Sequence, residues 1–317
     1  MPLAHVKWFV EDPTAVPLDQ ARLLSLPVAL ALLGTLLAAV VLGWVERRAE
    51  MDRRLARLRR RLRPFLPFLL SLHLGVSLIA HALLGSYLAP SLRLPGGSTG
   101  TTLAAIQVVI AVLIVVGLFT RAAAWLLVLS GLVGMSVYGV VPMLERAELL
   151  GIALYLGIVG RRRWSVDARV AGPDEAPAMN PGAVGMLRVC AGVAIAVNGL
   201  TEKLLAPGVS EVFLTRNPHF NVGAGFGVSD RAFIDLAGAV ELAIGLLLIS
   251  GVATRLAVLG AVVPFNVTLL FLGWLELVGH LPIYGIFLVL LVEGSGRVRD
   301  VARWARDPGA TGVPSTA

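Results

Sequence analysis

The sequence predicts an all-α integral membrane protein with about nine spans, arranged as two tandem four-helix units and one extra N-terminal transmembrane helix. Of the 317 residues, 57% are apolar and only 15% are charged, whereas soluble domains carry roughly 25% charged residues. The mean hydropathy is +0.83. Long apolar runs recur along the chain, and the second half repeats the pattern of the first. A soluble core could not bury this much apolar surface.

Nine apolar runs have lengths near that needed to cross about 30 Å of hydrocarbon. They lie at residues 23–45, 65–88, 101–119, 122–141, 147–160, 183–205, 232–250, 256–276 and 281–293. The runs at 147–160 and 281–293 are short, so we expect adjacent residues to complete them.

The distribution of basic residues predicts the orientation, because Lys and Arg accumulate in cytoplasmic loops. Nine arginines lie between Arg47 and Arg63, directly after the first apolar run. We therefore expect this segment to be cytoplasmic and the N-terminus to lie outside. Residues 1–22 contain several acidic residues and lack a basic start followed by an apolar core, so they do not resemble a cleavable signal peptide. Nine crossings then put most other arginines and the C-terminus on the cytoplasmic side.

The formal net charge of +7 does not predict binding to nucleic acid, because the basic residues lie beside apolar spans and are not interleaved with aromatics. Contact with membrane lipids fits this distribution better. The single cysteine, Cys190, excludes an intrachain disulfide and a CxxC pair. A role in electron transfer would therefore need a cofactor or a partner.

An internal repeat relates the two halves. Residues 101–160 align with 235–294 without a gap, and we call this the repeat alignment. The matched residues include Gly117 with Gly251, Thr120 with Thr254, Arg121 with Arg255, Gly151 with Gly285, and Gln107 with Glu241. Upstream, a smaller offset pairs His81 with Asn198 and Ser86 with Lys203. Because four spans is an even number, both units are expected to sit the same way up in the membrane.

These patterns predict seven segments. They are an extracytoplasmic segment at 1–22, an N-terminal transmembrane helix at 23–45, an Arg-rich cytoplasmic linker at 46–64, a first four-helix unit at 65–160, a second linker at 161–182, a second four-helix unit at 183–294, and a cytoplasmic tail at 295–317. The Arg-rich linker is interpreted as a basic helix that faces lipid, or alternatively as a docking site for a partner.

The second half contains an ordered set of residues: Arg188, Gly192, Asn198-Gly-Leu-Thr-Glu-Lys203, Val240-Glu241, Gly245, Gly251 and Thr254-Arg255. With this set the sequence resembles the DoxX family of bacterial four-helix membrane proteins, here as a tandem duplication. The first half has Ser86 at the Lys position and Gln107 at the Glu position. Any polar site of the family is therefore expected to be degraded there.

The resemblance implies a multi-pass protein of the bacterial plasma (inner) membrane, since DoxX-like proteins are linked to quinone-dependent sulfur oxidation, oxidase-associated subunits and thiol redox stress complexes. It implies an accessory or anchoring subunit of a redox system that works with a partner protein or redox complex and that can bind quinone. Two alternatives stay open: a quinone-coupled membrane oxidoreductase in its own right, and a non-catalytic transporter or receptor for a small or lipidic ligand. Whether the chain is an enzyme also stays open.

Ionisable groups inside a membrane usually face a bundle interior and pair with one another. Seven residues are candidates for one outward-facing polar pocket in the second unit: Glu241, Asn198, Lys203, Glu202, Asn266, His280 and Tyr284. In one interpretation the pocket binds a quinone headgroup or a small polar ligand, with Glu241 as a proton acceptor. In the other, the same residues form an interhelical network that stabilises the bundle.

The histidines do not predict a metal or haem site. His73 and His81 are eight residues apart on one helix, whereas axial haem ligands normally come from facing helices. The glycines after His219 do not follow a predicted strand, so they do not form a dinucleotide motif. His5 and Trp8 are expected outside, with Trp8 at the membrane interface.

Overall fold

A computed structural model of the chain describes residues 6–10, 17–171 and 180–297. Within these ranges the regular structure is helical, and the pairing between strands is limited to an isolated bridge between Ser86 and Arg93. The predicted all-helical class is therefore confirmed. His5, residues 172–179 of the second linker and the tail beyond residue 297 lie outside the described residues.

Thirteen α-helices are described. They are α1 (Leu26–Arg48), α2 (Met51–Leu62), α3 (Leu66–Leu83), α4 (Gly97–Val116), α5 (Thr120–Tyr138), α6 (Val140–Leu144), α7 (Ala147–Val159), α8 (Val166–Ala171), α9 (Pro181–Gly199), α10 (Pro207–Arg216), α11 (Asp230–Ser250), α12 (Thr254–Leu272) and α13 (Trp274–Glu293). A π-helical turn at Leu200–Leu204 extends α9.

Seven of the described helical stretches are long and apolar enough to cross a membrane: α1, α2 with α3, α4, α5, α9 with its π turn, α11 and α13. Helices α7 and α12 contain shorter apolar segments, at Ala147–Val159 and Thr254–Leu269. By length and composition, these helices are those of a multi-pass membrane protein.

Eight helices pack in a closed ring that runs through both halves of the chain. Within the first half, α3 packs on α4, α4 on α5, and α5 on α7; α9, α11, α12 and α13 follow the same order in the second half. The ring closes between the halves, because α7 packs more on α9 than on α3, and α13 packs more on α3 than on α9. The contacts between the halves are therefore more extensive than the α3–α7 and α9–α13 contacts within each expected four-helix unit.

Two glycines allow this closure. A Cβ atom on Gly151 of α7 would lie 2.7 Å from the Cβ of Cys190 on α9, and one on Gly285 of α13 would lie 3.0 Å from Leu70 on α3. Small residues let membrane helices approach closely. The repeat alignment pairs these two glycines, so the same contact is made twice.

The turns between helices also recur at aligned positions. Positive φ angles occur at Gly117 (73°) and Gly251 (68°), Phe119 (49°) and Ala253 (50°), Gly139 (90°) and Gly273 (70°), and Gly160 (73°) and Gly294 (82°). A positive φ is uncommon for residues other than glycine. The match at Phe119 and Ala253 is therefore a backbone likeness that residue identity does not reveal.

Helix α1 lies outside the ring and packs on α11. Its side chains at Val28, Ala31 and Thr35 are buried, while large apolar residues on its other faces are exposed. An exposed apolar surface of this kind suits contact with lipid.

Candidate functional site

The π turn after α9 brings three polar side chains into the interior. Thr201, Glu202 and Lys203 are all buried there. The Lys203 ammonium lies 2.9 Å from the carboxylate of Glu241 on α11 and 3.9 Å from that of Glu202. A π turn adds a residue to the helix, and such turns are frequent at functional sites. Three of the predicted site residues therefore lie together.

Asn198 joins the two halves of the chain. Its amide nitrogen donates to the carbonyl oxygens of Glu145 (3.0 Å) and Ala194 (2.8 Å). Its amide oxygen accepts from Arg146 at 3.1 Å, and the Thr201 hydroxyl donates to the Glu145 carboxylate at 2.6 Å. Asn198 therefore links to the first half, and not directly to the Lys203–Glu241 pair.

Glu148 lies next to Arg146, with 3.7 Å between the charged atoms. Its second carboxylate oxygen, Oε2, is buried without a hydrogen-bond partner among the described residues. A cavity of about 10 Å³ lies here, lined in part by Glu148, Asn198 and His280. A cavity of this size and polarity holds about one water molecule.

His280 lies between Glu276 and the N-terminal segment. Its ring Nδ1 is 3.3 Å from the carboxylate of Glu276, which is fully buried on the same helix. The charges of Glu202, Lys203 and Glu241 all act on Glu276. Glu276 therefore contacts His280 and lies within electrostatic range of the Lys203–Glu241 pair.

The other two predicted residues are placed differently. The ring of Tyr284 lies 6.5 Å from that of His280, and its hydroxyl makes no hydrogen bond to the described part of the chain. Asn266 is exposed, and its amide donates to the carbonyl of Val262 on its own helix. Asn266 is therefore not part of the polar site, because α12 turns its side chain outward.

The short segment at residues 7–10 covers these groups. Lys7 forms an ion pair with Glu145. The Trp8 ring lies 4.9 Å from that of His280 and 5.5 Å from the guanidinium of Arg146. A Cβ atom on Gly279 would lie 2.2 Å from the Trp8 ring, so this position has room only for glycine. Trp8 was expected at the membrane interface, but it is buried against the polar site.

We call the connected groups the central polar cluster. It consists of Lys7, Glu145, Arg146, Glu148, Asn198, Thr201, Glu202, Lys203, Glu241, Glu276 and His280. Its acidic members are five carboxyl groups, and its basic members are Lys7, Arg146, Lys203 and His280. Uncompensated charges are costly in a membrane interior. Protonation of one or more of these carboxyl groups would lower this cost.

Sequence reasoning missed six members of the cluster: Lys7, Glu145, Arg146, Glu148, Thr201 and Glu276. One signal was present, because the repeat alignment pairs Arg146 with His280, and in the structure both contact Trp8.

Three other histidines lie within the described residues, and none of them belongs to the central polar cluster. His73 donates from Nδ1 to the Leu69 carbonyl at 2.7 Å, and Nε2 of His81 lies 3.2 Å from the Ser77 hydroxyl. His219 is exposed. The described residues contain no group of three or more His, Cys, Asp and Glu that could hold a metal ion.

Comparison of the chain with protein-family models, with curated proteins and with solved structures finds no match.

Proposed function

We propose that the chain is a DoxX-like accessory or anchoring subunit of a redox system in the bacterial plasma membrane, and that its central polar cluster exchanges protons near the extracytoplasmic surface. The observation that carries this proposal is the excess of buried carboxylates over fixed cations in the cluster. Reactions of quinones take up and release protons, so a redox complex has a use for such groups. A partner in that complex would carry the electrons.

The proposed duplication and its nine spans rest on several repeated features. Seven long apolar helices and two shorter ones together correspond to the nine proposed spans. The helix-end dihedrals recur at aligned positions of the two halves, and so do the two close glycine contacts between the halves.

The proposed orientation places the cluster and the arginines at opposite surfaces. The cluster gathers at the C-terminal end of α9 and the N-terminal ends of α7 and α13, whereas the Arg-rich α2 packs at the C-terminal end of α13. If α2 is cytoplasmic, the cluster lies toward the outside.

The size of the cavity favours proton exchange over quinone binding within the cluster. A quinone ring is much larger than one water molecule, and Trp8 fills the adjacent space over Gly279. We therefore assign quinone binding to the partner protein or to the interface between the partner and this chain.

Infrared spectroscopy tests the proton-exchange role. The purified chain in lipid vesicles should show, at neutral pH, a carbonyl band from protonated carboxyl groups that shifts in D₂O. We expect the band to weaken in Glu148→Gln, Glu241→Gln or Glu276→Gln, with the exposed Glu211→Gln as the matched control. A spectrum without this band, or one unchanged in all three variants, would show that the cluster is a fixed ionic network and contradict the proposal.

Affinity purification tests the redox assignment. The tagged chain, extracted from its native membrane in mild detergent, should bring down a protein that oxidises or reduces a short-chain quinone. Material from an untagged strain is the control. If the chain purifies without quinone-linked activity, the accessory-subunit proposal fails, and the receptor or transporter alternative gains support.

A further inference from the structure

Helix α2 has three different faces. One face is fixed to the rest of the protein, since Asp52 pairs with Arg255 at 2.8 Å and Arg59 is buried. Directly after the helix, Arg63 makes two hydrogen bonds to Glu293, at 2.7 and 2.8 Å. The orientation of α2 about its own axis is therefore set by contacts with α12 and α13.

The opposite face carries arginines. At 100° per residue, Arg53, Arg54, Arg57 and Arg61 fall within about one third of the helix circumference, and all four are exposed. Arg53 pairs with the exposed Glu50 at 3.3 Å. The other three make no ion pair or hydrogen bond with the described residues.

A narrow apolar stripe separates these two faces. It consists of Leu58, which is 47% exposed, and the partly buried Met51, Leu55 and Leu62. A helix with an apolar stripe beside a basic face is typical of helices that lie in the membrane interface. The apolar stripe therefore suits contact with an apolar layer, and the arginine face suits contact with negative charges directly beside that layer.

The connections of α2 keep it at the membrane boundary. It follows α1 after two residues and leads through Arg63–Phe65 into α3, and both neighbouring helices are apolar enough to span the membrane. Anionic phospholipid headgroups are the negative charges present at that depth, and each basic residue near them strengthens the attraction.

We propose that the face formed by Arg53, Arg54, Arg57 and Arg61 is a binding surface for anionic phospholipid headgroups. The occupant is a lipid because the arginines lie next to the apolar stripe, which would contact acyl chains. The attraction weakens with salt, since exposed charges are screened. This proposal is independent of proton exchange in the central polar cluster.

The test measures the association of spin-labelled phosphatidylglycerol, relative to phosphatidylcholine, with the full chain in vesicles of phosphatidylcholine. The patch variant is Arg54→Gln/Arg57→Gln/Arg61→Gln. The control variant, Arg93→Gln/Arg121→Gln/Arg169→Gln, removes the same charge from three other exposed arginines. Equal helix content by circular dichroism in phosphatidylcholine shows that both variants fold.

We expect the native chain to prefer phosphatidylglycerol, and the preference to fall about tenfold or more in the patch variant while the control variant keeps it. High salt should reduce the preference of the native chain. Equal preference in the two variants would overturn the proposal, as would no preference in the native chain. The second result is also expected if the arginine face binds a protein.

Discussion

Two buried pairs at matching positions of the two halves differ in kind. In the second half, Lys203 and Glu241 form an ion pair at 2.9 Å. At the matching place in the first half, the Gln107 amide donates to the carbonyl oxygens of Leu78 (2.8 Å) and Ser86 (3.4 Å) and accepts from the Leu88 N–H at 2.8 Å. One position holds charges, and the other holds a neutral side chain satisfied by backbone.

The difference indicates that this arrangement of helices does not need the ion pair for its stability. The attraction between two buried charges barely offsets the cost of removing them from water, so an uncharged pair is often as stable. The first half has the uncharged side chain of Gln107 at this position. The charges of the second half therefore call for another role, which the proposed proton exchange supplies.

The largest expected effect comes from breaking the charged pair. Lys203→Ser leaves Glu241 beside Glu202 and Glu276 without its cation, and we expect a loss of about 3–5 kcal/mol in the free energy of unfolding. The double variant Lys203→Ser/Glu241→Gln recreates the first-half pair and should recover most of this loss. Unfolding in mixed micelles by a denaturing detergent measures both.

A double variant as unstable as Lys203→Ser would contradict the comparison, because it would show that the charges are required by the fold. If the double variant is stable but loses the infrared band of protonated carboxyl groups, the charges serve proton binding.

The reverse change in the first half should have a smaller effect. Gln107→Glu removes the donor to Leu78 and Ser86 and buries an acid without a cation; a buried group left without its partner costs about 1–3 kcal/mol. Adding Ser86→Lys should restore part of this stability. The exposed Gln20→Glu, measured in the same micelles, is the control and should change little. If Gln107→Glu left the free energy of unfolding unchanged, water would have to reach this position.

Much of the fold could be predicted from sequence, because apolar length and the recurring glycines are local properties. The same holds for the Lys203–Glu241 pair, since polar residues on adjacent membrane helices have few other partners. The packing of α7 on α9 could not be predicted in this way. Apolar runs of similar composition do not specify which helices pack against each other.

The failures within the site have the same origin. Glu145 and Arg146 directly precede the short helix α7, and only the packing of α7 on α9 brings them next to Asn198 and Thr201. Asn266 was predicted to line the pocket, but its side chain faces outward. A rotation of about 100° per residue decides whether a side chain faces the ring or lipid, and the apolar surroundings of Asn266 on α12 do not indicate its direction.

Two arginines offer a comparison at the other end of the ring. Arg161 donates to two carbonyls in the last turn of α4, and Arg188 donates to two in the last turn of α11. The carbonyls belong to Ile114 and Val115, and to Leu248 and Ile249, which the repeat alignment pairs. Burial lowers the pKa of Arg161, and the carbonyl hydrogen bonds offset this loss of hydration.

Arg161→Met and Arg188→Met should therefore destabilise the protein by similar amounts, about 1.5–3 kcal/mol each, the range for a hydrogen bond to a charged group. Thermal unfolding of the detergent-solubilised variants, compared with the exposed Arg121→Met, measures the effect. A large effect from only one of the two would mean that the matched carbonyls are capped in different ways.

The smallest effect is expected at Asn266. Its side chain donates to the Val262 carbonyl of its own helix, so Asn266→Ala should change the free energy of unfolding by less than about 0.5 kcal/mol. Asn198→Ala is the matched variant, because it removes an acceptor from the buried Arg146 and should cost about 1–3 kcal/mol. Unfolding curves and infrared spectra of both variants give the comparison. A contact between Asn266 and a partner subunit would give a different result. Asn266→Ala would then reduce copurification of the partner, while stability and the carboxyl band stay unchanged.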